Sequence, residues 1–401
     1  MLKHIAIVLN INVILGCCCC KNNKTKSCEL NIEKTHYKSK IKYKCLNYDD
    51  LVKRLDNKSI NYNKNINTLK KEYNEYKKDL DTVKELLENT LNYNYQNNEP
   101  HFPHIHWNGN VKNSFKYLCF MIAPLNVILH LDKIKEFFKS DPEPKNNSLT
   151  DSAEIYNYIQ YKYFIHVYKM YIERLESGYS FTIDPQKDEY ENPIYLKTLC
   201  IEGKADKTTS SEVSEMFFNS INNNFINEFK FLYFDFDNSN SGCHDIFAEK
   251  DDDNLNVNYE KEIINKFKNS NKESKTNYDV IYLNYKTAIT RCYCEKTYEN
   301  QLIINNICEN FNYNGNKYHL DGLVYLGTND NNKESEKNDV FSFVYDKNAP
   351  DKNKPYVFCQ LDCKMKYYSL QEIQNIMKPN NKTVSPYKYK HFIASAFSKI
   401  S

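Results

Sequence analysis

Between residues 49 and 92, apolar side chains recur at Ile66, Leu69, Tyr73, Tyr76, Leu80, Val83 and Leu87, with Glu and Lys in the intervals. This 3-4 spacing lines one stripe of a helix, the a/d pattern of a packing seam. Three heptads are too few to require a coiled coil; the stripe better suits a long helix docked on its own domain or folded back as a hairpin. Leu118–Phe138 is almost continuously apolar and predicts a buried helix, and 154–176 and 209–231 predict two more. From Tyr278 onward the period changes to two. Short runs (VIYLNY, QLIINN, HLDGLVYL, VFSFVY, YVFCQL) are separated by Gly, Asn-Asp and Pro-Asp turns, as in an antiparallel sheet. A polar stretch near 237–277 (NSNSG, EKDDDN, KNSNKESK) predicts a long insertion on the surface. Helices first and strands later imply an α+β layout.

The chain has 401 residues, enough for one large domain plus an extension. Its 54 basic and 52 acidic side chains nearly cancel, and Arg54, Arg174 and Arg291 are its only arginines. That removes both the field and the guanidinium forks that nucleic-acid binding uses, so no nucleic-acid partner is expected. Met1–His4 is followed by the apolar run Ile5–Gly16 and by Cys17–Cys20, which fits a signal-like targeting segment over 1–20. The expected location is the secretory pathway or outside the cell, with the cytoplasm as alternative. A membrane would be met only through this segment if it is uncleaved. A polar lead and the amphipathic helical region then occupy 21–105.

Fourteen cysteines allow disulfides in an oxidising compartment, but no CxxC…CxxC spacing points to zinc. His101, His104 and His106 cluster in HFPHIHW, where Pro103 favours a surface loop over a metal site. Neither a metal nor a cofactor is called for.

Several segments, in order, resemble the boxes of ubiquitin-specific proteases. Leu118-Cys119-Phe120-Met121-Ile122-Ala123-Pro124-Leu125-Asn126 is similar to the family's nucleophile box, T-C-[FY]-M-N-S-x-L-Q, which opens a buried helix. Ser211–Phe217 resembles the Q-D-A-x-E-F-L box, and His319–Gly327 the strand Y-x-L-x-G-V-x-x-H-x-G. Val340–Val344 resembles the G-H-Y-x-A-[YF]-V strand; Tyr356–Phe358 and Tyr368–Ile373 resemble the last two pieces. The resemblance spans 106–401. It implies a papain-like cysteine-protease fold with a helical half and an antiparallel-sheet half, preceded by a helical extension, and ubiquitin or a ubiquitin-like protein as partner.

The resemblance also locates the family's catalytic positions. Cys119 falls on the nucleophile, at a helix start whose dipole favours a thiolate. Asp339 falls on the family histidine, and an aspartate that titrates near 4 is a poor base toward a thiol near 8.5. Cys359 falls on the Asp or Asn that orients the histidine. Lys116-Tyr117-Leu118 replaces the compact G-N-T turn. Asn113 is an out-of-register candidate for the oxyanion donor, strict spacing giving Ser114, and Pro124 removes a helical donor. The implied protein keeps the scaffold and has lost the triad. The alternatives are an active deubiquitinase with a relocated base, His319 or His391, and a secreted disulfide-containing interaction protein.

Overall fold

The computed structural model describes residues 45–89, 102–106, 119–182, 210–235, 276–284, 307–328, 338–359, 366–377 and 391–400. The expected targeting segment over 1–20, the expected insertion near 237–277 apart from its last two residues, Asn113 and Lys116–Leu118 lie outside them.

The first predicted helix is two. Helix α1 (Tyr48–Arg54) is capped by Asn47, whose Oδ1 accepts from the N–H groups of Asp49 and Asp50 at 2.9 and 3.2 Å. Helix α2 (Tyr62–Asn89) follows a turn at 55–61. Leu69, Tyr76, Leu80, Val83 and Leu87 of the expected stripe are buried, with Ile66 and Tyr73 partly so. Their partner is helix α5 (Ser152–Glu176) of the same chain. Thr68 meets Ser152 and Tyr76 meets His166, so the two helices run in the same sense.

The apolar run after 118 also divides, into α3 (Cys119–Ile128) and α4 (Asp132–Lys139), and α3 continues through Pro124. Asp151 caps α5, accepting from Ala153 and Glu154 N–H, while the Glu154 carboxylate accepts from Thr150 N–H at 2.9 Å. Most of α5 is buried on every side, which makes it the central helix of the helical half. Helix α6 (Ser210–Asn224) ends earlier than its apolar pattern suggests, because Phe231–Asp235 is strand β3.

A large mixed sheet forms the other half. Its members are β3, β4 (Val280–Asn284), β5 (Asn310–Tyr313), β6 (Asn316–Thr328), β7 (Asn338–Tyr345), β8 (Tyr356–Cys359), β9 (Tyr367–Tyr368) and β10 (His391–Lys399). The spatial order is β3-β4-β10-β6-β7-β8-β9, with β5 hairpinned onto β6. All described pairings in it are antiparallel except β3–β4. Both faces are buried, and alternate residues serve different cores. Val280, Tyr282, Val324, Val344 and Val357 pack with the helices. Ile281, Leu283, Leu323, Tyr325 and Phe343 pack on the far side with Phe311, Phe397 and helix α7 (Leu370–Met377) through Ile373. This is an α+β architecture, with a helical half and a mainly antiparallel sheet half. No helix among the described residues is long and apolar enough to cross a membrane.

A second, two-stranded parallel sheet pairs β1 (Ile105–His106) with β2 (Phe181–Thr182). Where a surface loop is expected, the described residues 102–106 end in strand β1, and Phe102, His104 and Ile105 are buried. Burial is possible because neighbouring groups satisfy the segment's backbone, as described below.

Candidate functional site

Helix α3 lies on the sheet over β6 and β7. The contact is closest at Gly322, where an added Cβ would stand 2.6 Å from Val127 Cγ1 and 3.2 Å from the carbonyl oxygen of Phe343. Gly322 pairs with Val344 across the β6–β7 ladder. Beyond that point Asp132, just past the helix, meets Lys347, just past the strand, at 3.5 Å. The C-terminal ends of α3 and β7 therefore coincide, and the start of α3 at Cys119 lies toward the end where β7 begins. Cys119 precedes Val127 by eight residues, roughly 12 Å of helix. The same distance back along β7 from Val344 reaches the neighbourhood of Val340.

Three positions singled out above lie at that end. Asp339 pairs with Gly327, one residue from the Val340–Leu326 pair. Cys359 pairs with Ser342 on the next strand. His391, the first residue of β10, pairs with Leu326 from the other side, so His391, Leu326 and Val340 form one row across three strands. His319 is elsewhere. It lies seven residues from Leu326 along β6, roughly 23 Å of strand. There its Nδ1 is 3.2 Å from Asp321 Oδ1 and its ring abuts Tyr345 at 4.5 Å.

Cys359 is a free thiol buried on the helical face of the sheet. Burial pushes it up to about 12, so it stays neutral across the physiological range. A neutral thiol is a weak acceptor and carries no charge with which to orient or stabilise an imidazolium. Among the described residues, no cluster of three His, Cys, Asp or Glu side chains could hold a metal ion.

Two residues escaped the sequence reading. Asn126, the last position of the nucleophile-like box, is buried and bonds both backbone groups of Ile105. Its Oδ1 accepts from Ile105 N–H at 2.7 Å and its Nδ2 donates to Ile105 O at 3.0 Å. His130 stacks on Phe102 with ring centroids 4.6 Å apart, and its Nδ1 and Nε2 lie 2.6 and 2.9 Å from the carbonyl oxygens of Asn126 and Pro103. Burial, reinforced by the charge of Lys135, pushes His130 down to about 3, outweighing the pull of the two carbonyls. A polar residue inside an apolar helical run was the one available signal for Asn126.

No protein-family model and no curated protein matches the chain. Among solved structures it is similar to one described as an essential yeast splicing factor, with 10% identity, a TM-score of 0.40, and coverage of 75% of this chain and 70% of that one. It is also similar to the Saccharomyces cerevisiae Pan2 pseudoubiquitin hydrolase–RNA exonuclease module solved with AAUUAA RNA. There the identity is 15%, the TM-score 0.19, and the coverage 31% of this chain and 21% of that one. Neither likeness is close enough to transfer a site or an activity.

Proposed function

We propose that this chain is a ubiquitin-specific-protease-like protein that binds ubiquitin or a ubiquitin-like tail and has lost hydrolysis. On this reading Cys119 occupies the nucleophile position, Asp339 that of the base and Cys359 that of the orienting residue, with Asn113 as a candidate oxyanion donor. The ordered boxes of the sequence support the family. Cys359 is the observation that carries the loss. A buried thiol held up to about 12 offers nothing with which to orient a histidine, and an aspartate at the base position is already ionised near neutrality. Without an imidazole partner, the family's means of activating a thiol nucleophile is missing.

A second reading has one observation in its favour. The His391–Leu326–Val340 row sets a histidine two strands from the start of β7, at the end toward which α3 begins. In that case His391 is the relocated base of an active deubiquitinase; His319, at the other end of β6, is not.

Calorimetric titration of the full chain with ubiquitin, alongside a di-ubiquitin cleavage assay, separates these readings. The expected outcome is binding without turnover. Cleavage abolished by both Cys119→Ala and His391→Ala would replace this with the relocated-base enzyme. Neither binding nor cleavage would favour the interaction protein without a ubiquitin role.

A further inference from the structure

Helix α6 and strand β3 are joined by a turn fastened on both sides. Phe225 bridges Pro144, Ile226 N–H donates to the Glu143 carbonyl at 2.9 Å, and Lys145 N–H donates to the Asn224 carbonyl at 2.7 Å. On the other side Asn222 Nδ2 donates to the Phe231 carbonyl and Lys230 N–H to Asp279 Oδ2, both at 2.8 Å. Between these fastenings lies a cavity of about 270 Å³. Phe225, Phe229, Phe231 and Tyr278 give it aromatic walls, the Phe229 and Phe231 rings stacking with centroids 6.0 Å apart, and the exposed Ile226 also lines it. Phe231 pairs with Val280, Val280 with Ser398 and Ser398 with His319. The cavity is therefore at the His319 end of the sheet, away from the end where α3 begins.

The charged residues lining the cavity are Lys145 and Lys230, both exposed, and no carboxylate lines it. The Lys145 ammonium donates to the Asn222 carbonyl at 2.7 Å, which holds it at the rim. Neither lysine is ion-paired among the described residues. Lys133, whose ammonium is 5.7 Å from the centre of the Phe229 ring, is by contrast paired with Glu136 at 2.7 Å. The volume falls just below the roughly 300–1,000 Å³ of sites for whole small molecules, so a single side chain fills it. Aromatic walls suit an aromatic ring, which stacks or meets them edge-on. Two unpaired ammonium groups at the rim suit carboxylates on either side of that ring, and lysine lacks the planar fork that favours phosphate. We propose that this cavity docks an acidic segment of a partner protein, which plants one aromatic side chain between the phenylalanines and sets flanking carboxylates against Lys145 and Lys230. This surface is separate from Cys119 and from any ubiquitin contact there.

The test titrates the full chain, methyl-labelled at isoleucine, with three end-capped peptides: Glu-Phe-Glu, Glu-Ala-Glu and Lys-Phe-Lys. The Ile226 methyl resonance, assigned through Ile226→Val, is the reporter. Glu-Phe-Glu should shift it saturably by about 10 mM peptide. Glu-Ala-Glu should bind about tenfold more weakly or worse, because the ring supplies most of the apolar area to be buried. Lys-Phe-Lys should lose about fivefold or more, since it sets cations against the two lysines. Lys145→Gln combined with Lys230→Gln should weaken Glu-Phe-Glu binding by about two- to fivefold per lysine. Raising salt from about 0.05 to about 0.5 M should weaken it similarly in the parent protein, so the result does not depend on that variant folding. No saturable shift at Ile226, or shifts confined to other isoleucines, would overturn the proposal. Equal affinity for Glu-Phe-Glu and Lys-Phe-Lys would do so too, as would an affinity indifferent to both the lysines and salt. None of these readouts involves ubiquitin or Cys119, so failure of the ubiquitin reading leaves this test intact.

Discussion

Two residues show how closely the helix is fitted to the sheet. Gly322 has no Cβ because Val127 occupies that space. Gly322→Ala should therefore destabilise the fold by about 1–3 kcal/mol through overpacking, and adding Val127→Ala should recover part of the loss. Thermal unfolding of the single and double variants checks this; equal midpoints for Gly322→Ala and the parent would refute the close packing. His130 makes a pH prediction. Its folded value, pushed down to about 3 chiefly by burial, lies below the ordinary 6.5, so between these limits the unfolded chain binds more protons than the folded one. Stability is then fully present above about pH 6.5 and falls, on the order of 1.4 kcal/mol per pH unit, as pH drops toward 3. Denaturant titrations from pH 6.5 to 4.5, above the ordinary carboxylate range, should show that slope in the parent and a shallower one in His130→Asn. Equal slopes would assign the acid sensitivity elsewhere.

At the scale of elements, the helical region before residue 90 belongs to the core. Helix α2 buries its stripe against α5, and polar links reinforce the seam. Tyr76 OH lies 2.7 Å from His166 Nδ1, and Arg54 donates to Tyr158 OH at 2.8 Å while its guanidinium rests over that ring. Behind them the buried Lys162 ammonium meets Asp141 at 3.2 Å and Glu143 at 3.0 Å. Five buried seam side chains at about 1.5–3 kcal/mol each are comparable to the whole stability of a typical domain. A chain starting at residue 102 should therefore not fold cooperatively, as circular dichroism and limited proteolysis would report. A truncated protein with an intact thermal transition would show the two helices to be an appendage. The stripe itself was legible in the sequence because a 3-4 repeat persists over many turns. Its partner was not, since α5 is apolar all round and announces burial without saying which face meets which helix.

For the whole molecule, the decisive feature is how several distant segments share one end of the sheet. Cys119, Asp339, Cys359 and His391 span nearly three hundred positions, yet helix direction and strand register bring their backbones to the same end. If the chain has lost its triad, one substitution should not restore it. Asp339→His supplies an imidazole, but Cys359 cannot orient it, and Lys116-Tyr117-Leu118 stands where the resemblance expects the sequence G-N-T. Hydrolysis of a fluorogenic ubiquitin substrate by Asp339→His should stay at the level of Cys119→Ala. A clear Cys119-dependent rate would mean that orientation comes from another group.

Local pattern alone specified the helical stripe, the alternating strands and the helix-then-strand order that makes the fold α+β, because these follow from periods of 3.6 and 2 along a continuous segment. Cys119 was singled out by the resemblance of Leu118–Asn126 to a family box, not by the hydrophobic pattern. That pattern did not reveal β10, whose Ala- and Ser-rich run HFIASAFSK has weak alternation and becomes a central strand only because β4 and β6 flank it. Nor did it reveal that Phe102, His104 and Ile105 are buried or that Asn126 is the partner of Ile105. Those depend on which backbone groups meet across 21 residues, and only the packed chain decides how each buried donor and acceptor is satisfied.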